Sequence, residues 1–64
     1  MNHAEKCIER AGGVEAVASA FNPPITINAV YAWQRNGYIP LDRVRVVAKL
    51  SGFTPEYVAR REIP

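Results

Sequence analysis

Asn28, Tyr31, Ala32 and Arg35 fall at i, i+3, i+4 and i+7, the spacing that lines side chains along one face of a helix. Together they offer an amide that donates and accepts side by side, a phenol, a methyl group and a planar guanidinium fork. That is a chemistry of recognition by hydrogen bonding and charge, not of bond making. Nothing else in the chain supplies a reaction. Cys7 shares the apolar positions Ala4, Ile8 and Ala11, so it reads as a small buried residue and not a reactive thiol. His3 stands alone without companion ligands, so no metal site is expected. There is no Gly-rich phosphate loop and no nucleophile–base–orienter set. The expectation is a protein without catalytic residues or a cofactor.

Several short elements must position that stripe. Ala4, Cys7, Ile8 and Ala11 predict a first helix over about 2–11, capped by Asn2 and stopped by Gly12. Val14, Val17, Ala18 and Phe21 repeat the pattern over 14–21, and Gly13 permits a sharp corner between the two helices. Asn22-Pro23-Pro24 ends the second helix, because neither proline donates a backbone hydrogen bond. Thr26 opens a third helix as N-cap. Val30 and Trp33, with Ala29, form its inner face, and Asn36-Gly37 ends it. A fourth helix is predicted over 41–51 between Pro40 and Gly52. Val44, Val47 and Leu50 face the core there, with Leu41 and Ala48 beside them, and Arg43, Arg45 and Lys49 stay accessible. Thr54-Pro55-Glu56 begins a short fifth helix reaching Ala59, and 60–64 reads as a loose tail. The predicted fold is all-α, a compact bundle of four to five short helices in one domain.

Composition narrows the class further. At 64 residues, with 48% apolar and 22% charged side chains, the chain is an ordinary small globule with little room for a catalytic cavity. No apolar run approaches a membrane span, and the amino terminus lacks the pattern of a signal peptide. One cysteine forms no internal disulfide. A cytoplasmic location is therefore the expectation. The net charge of +2 is unevenly placed. Residues 1–25 carry Lys6 and Arg10 against Glu5, Glu9 and Glu15, which leaves −1. Residues 26–64 carry Arg35, Arg43, Arg45, Lys49, Arg60 and Arg61 against Asp42, Glu56 and Glu62, which leaves +3. A basic second half suits a polyanionic partner.

The run from Gly13 to Ala18, followed by Ile25-Thr26-Ile27-Asn28-Ala29-Val30-Tyr31-Ala32-Trp33, resembles the helix-turn-helix of Cro-type phage repressors. It is also similar to YdaS-type DNA-binding antitoxins. The likeness continues through Gly37-Tyr38-Ile39-Pro40-Leu41-Asp42-Arg43-Val44 and covers about residues 4–58, with the motif itself at about 14–37. The chain departs from the family at the turn, where Asn22 takes the usual glycine position. Pro23 and Pro24 then lengthen the spacing from Ala18 to Val30 by two.

The resemblance implies a lambda-repressor-like fold and a sequence-specific repressor. It would bind double-stranded operator DNA, block a promoter by occupancy and need no small-molecule effector. A YdaS-like antitoxin or regulator is the nearest alternative, and a helical protein-interaction module is the alternative from another class. Asn28 is the first candidate for base readout, since an asparagine amide pairs bidentately with adenine. Ala32 suits a thymine methyl, and Ile27 either does the same or covers the Pro-Pro turn. Tyr31 reaches a base or a phosphate, and Arg35 a guanine or a phosphate. Candidate phosphate contacts are the amides near Gly13 and Val14, the helix start at Thr26, and Arg43. The expected assembly is a weak homodimer, or one formed only on DNA. Its interface would be around Tyr38 and Ile39 or around Phe53, Tyr57 and Val58, unless Phe53 and Val58 complete the monomer core.

Overall fold

The computed structural model describes residues 1–61, and no strand occurs among them. The helices are α1 (His3–Arg10), α2 (Val14–Ser19), α3 (Ile27–Asn36), α4 (Val44–Ser51) and α5 (Pro55–Val58), with a 3-10 turn at Leu41–Arg43 ahead of α4. The chain is thus the predicted small helical bundle. α1 lies against α4, α3 and α2; α2 packs on α3, and α5 on α4.

Local chemistry sets most of the boundaries. Asn2 and Glu5 form a reciprocal capping box at the start of α1: the Glu5 amide donates to Asn2 Oδ1, and the Asn2 amide donates to Glu5 Oε1, both at 2.9 Å. Thr26 and Thr54 cap α3 and α5 through hydroxyls that accept from the Ala29 and Tyr57 amides. Gly37 and Gly52 close α3 and α4 in the left-handed region, at φ 85° and 81°, where a Cβ is strained. α2 stops two residues before the predicted end. The Ala20 amide turns back to the Val17 carbonyl, and the Ile25 amide ties the connection to the Ala18 carbonyl at 3.1 Å.

The core joins Ala4, Cys7, Ile8 and Ala11 of α1 to Val17, Ala18, Phe21, Val30, Trp33, Ile39, Val44, Val47, Ala48 and Val58. Phe21 meets Trp33 edge-on with ring centroids 6.0 Å apart, which fills the space between the α2 end and α3. Three expectations are corrected here. Leu41 is 71% exposed and Leu50 is 41% exposed, so neither belongs to the core. The 3-10 turn winds three residues per turn, so the α-helical period cannot be carried back to Leu41. Ser51 takes the inward position beside Val44, Val47 and Ala48. Its hydroxyl donates to the Ala48 carbonyl and accepts from the Phe53 amide, leaving Leu50 turned outward. Ile39 is fully buried within the monomer and is removed as an interface candidate, whereas Val58 completes the monomer core as the alternative expectation had it, with half-buried Phe53 and Tyr57 packed against that core.

His3 has a role that its isolation in the sequence did not disclose. Its ring is buried, with Nε2 3.3 Å from the Val58 carbonyl oxygen and 3.6 Å from Cys7 Sγ, and it stands edge-on to Tyr57. It thereby fastens α5 to α1. Of the predicted loose tail, Arg60 stacks over Tyr57 and Arg61 over Tyr38, at 5.1 and 4.0 Å from the ring centroids. The remainder of that tail, 62–64, lies outside the described residues.

Candidate nucleic-acid interface

α3 is held at both ends and along its inner face. Thr26 Oγ1 accepts the Ala29 amide at 3.3 Å, and the Gly37 amide donates to the Trp33 carbonyl at 2.8 Å. A brace comes from α1, where Asn2 Nδ2 donates to the Gln34 carbonyl at 2.7 Å. This bond crosses 32 positions of sequence and satisfies a carbonyl in the last turn of α3, which has no partner within the helix. Asn2 therefore caps one helix and ties down another. Val30 and Trp33 are buried against the core beneath α3.

With that face fixed, 100° of rotation per residue decides where the rest point. Asn28 and Arg35 project opposite Val30 and Trp33, and both are exposed. Tyr31 and Ile27 flank them at 48% and 44% exposure. Ala32 is half-buried and sits on the shoulder of the stripe, not at its crest. The structure thus brings Ile27, Asn28, Tyr31 and Arg35 onto one open surface with Thr26 at its leading end. A helix with its side chains is about 10–12 Å across, close to the roughly 12 Å width of the B-DNA major groove.

The candidate phosphate contacts are arranged less uniformly. The Gly13 amide donates to the Ile8 carbonyl at 2.9 Å, so that hydrogen is already used in turning the chain from α1 into α2. Val14 is half-buried in a shallow groove of about 250 Å³ that also holds Met1, Glu5, Ile8, Glu9, Gly13 and Gln34. Glu5 and Glu9 line this groove, and Glu15 lies in the first turn of α2. This end of α2 is therefore acidic. The sequence places Glu5 and Glu9 on α1, and only the packing of α1 beside α2 brings their charge to Gly13 and Val14. Arg43 lies with its guanidinium 5.1 Å above the Phe21 ring, and its Nε is 3.8 Å from Asp42 Oδ2. It borders a second groove, of about 490 Å³, with Phe21, Pro23, Pro24, Ile25 and Val46. Arg43 is thus half-buried at the connection between α2 and α3, separate from the stripe.

No metal-binding cluster of His, Cys, Asp or Glu occurs among the described residues, and no helix there is long and apolar enough to cross a membrane. Burial pushes the Cys7 thiol above its ordinary pKa, with the neighbouring Lys6 charge opposing the shift, so the thiolate is disfavoured in the fold. The chain matches no protein-family model, no curated protein and no solved structure.

Proposed function

We propose that this protein is a sequence-specific double-stranded-DNA-binding regulator of the Cro type, a helix-turn-helix repressor that presents α3 to the major groove. The observation that carries the proposal is the division of α3. Its inner face is locked by Val30, Trp33 and caps at both ends, and its outer stripe of Asn28, Tyr31 and Arg35 is open and free of long aliphatic side chains except Ile27 at the edge. A rigid helix carrying an amide and a guanidinium two turns apart meets the requirements of base-edge readout. Arg35 adds positive charge on the same surface, and repression would follow from occupancy of the operator.

Asn28→Ala tests the reading. It should weaken binding to the preferred duplex by about 1–3 kcal/mol, the value of one bidentate base contact, and leave binding to random DNA nearly unchanged. Equal losses on both DNAs would remove Asn28 from base readout.

One observation favours a second reading, a helical protein-interaction module. The groove beside Phe21, Pro23, Pro24, Ile25 and Val46 has an apolar wall facing a polar one of Asn22, Asp42 and Arg43, and Leu41 is exposed. The two readings part on salt. Phosphate neutralisation makes DNA affinity fall with ionic strength, whereas a ligand held by apolar contact stays bound in high salt.

A further inference from the structure

The outer face of α1 is divided lengthwise by charge. Glu5 and Glu9, four residues apart, form one edge and line the groove that contains Met1, which is 82% exposed. Lys6 and Arg10, also four apart, form the other edge. Lys6 Nζ lies 5.7 Å from the centroid of Tyr57, and Arg10 Cζ lies 5.2 Å from that of Phe53. Those two rings stack on each other at 4.6 Å, so the basic edge has an aromatic wall, and the acidic edge has a flexible thioether beside it. Among the described residues the only ion pair is Arg43 with Asp42, so neither edge of α1 is ion-paired there; Glu5 Oε1 accepts the Asn2 amide, and Glu9 is the exposed carboxylate of the acidic edge.

We infer that this face is a self-complementary surface that pairs α1 with α1 of a second copy, in parallel, acidic edge against basic edge. The orientation follows from the charges. A twofold axis parallel to the helix places Glu5 and Glu9 of each copy over Lys6 and Arg10 of the other. An antiparallel face-to-face pairing stacks like charge on like charge, which is repulsive. The parallel register also aligns the apolar groups. Met1 and Tyr57 both lie toward the start of α1, on opposite edges, so each Met1 meets the other copy's Tyr57, a favourable sulfur–aromatic contact. One face of an eight-residue helix falls below the roughly 1,200 Å² of a stable interface, so the pair is weak and salt-sensitive. The inference does not rest on the reading of α3, and its test involves no DNA.

The test is sedimentation of the full chain at up to about 1 mM, a concentration that populates weak dimers. Low salt should give a mean mass well above the 7.1 kDa monomer, and about 0.5 M salt should return it to monomer. Arg10→Glu and Glu9→Arg alter exposed side chains, and circular dichroism confirms that each variant folds. Each alone should weaken association at least tenfold. An equimolar mixture should recover a one-to-one heterodimer, because one of the two pairs between positions 9 and 10 is then kept as in the wild type and the other is restored with its sign reversed. A wild-type chain that stays monomeric at low salt overturns the proposal. So does association that persists in both variants, which assigns it to another surface, and so does a mixture that fails to reassociate.

Discussion

Trp33 and Asn28 belong to the same helix and have opposite fates. Trp33 is buried under α3 with Phe21 edge-on to its ring, and its truncation opens a cavity between α2 and α3. Trp33→Ala should cost about 3–5 kcal/mol, measured by thermal or urea unfolding, a large share of what so small a domain possesses. Near-wild-type unfolding would place the indole outside the core. Cys7 gives a second prediction at this scale. Its thiol ionises less readily in the fold than in the unfolded chain, because burial disfavours the thiolate. Below the ordinary value of 9.0 both states keep the proton and Cys7 adds no pH dependence. Above it the unfolded chain loses its proton first, so stability falls as pH rises. Unfolding of wild type and Cys7→Ala between neutral and alkaline pH should show the wild type losing stability more steeply above that value. Parallel curves would contradict the burial of the thiol.

At the scale of elements, the caps were the most legible feature. Asn2, Thr26, Thr54, Gly37 and Gly52 act within a turn of their own position, where sequence order and spatial order agree. The stripe of α3 was legible for the same reason, apart from Ala32, whose shoulder position depends on how far the helix is rolled against the core. Packing between elements was not legible. Ile39 was a candidate for a subunit interface and is core instead, Leu41 lay beyond a change of helical period, and the second bond of Asn2 crosses from α1 to α3. Asn2→Ala should therefore cost more than the usual cap, about 2 kcal/mol compared with about 1 kcal/mol for Thr26→Ala, because it also frees the Gln34 carbonyl. Faster amide exchange in the last turn of α3 as well as the first turn of α1 would confirm the double role. An effect confined to α1 would dismiss the brace.

On the scale of the whole molecule, the charge asymmetry of the sequence becomes an arrangement of surfaces. The acidic residues of the first half gather beside the start of α2, and Lys6 and Arg10 turn toward the aromatic rings near α5. Arg35 stands on the outer stripe of α3, and Arg43 is held over Phe21. This division bears on the DNA reading. The α3 stripe is accessible, whereas the approach along α2 passes Glu5, Glu9 and Glu15. Phosphate contacts should accordingly be few, and the dependence of affinity on salt should correspond to a small number of neutralised phosphates. Charge-removing substitutions at Glu9 and Glu15 should tighten binding to any DNA sequence by a similar factor, as measured by fluorescence anisotropy. Unchanged affinity would place those carboxylates away from the nucleic acid.

The central claim is that α3 reads base sequence, and it is tested most directly by comparing two duplexes in one salt titration. One duplex is enriched from a random pool by the protein itself, and the other is its scramble. The account predicts that affinity for both falls as salt rises, with the enriched duplex bound about 10³-fold or more tightly at each concentration. Equal affinity for the two duplexes, or binding that does not respond to salt, would contradict it.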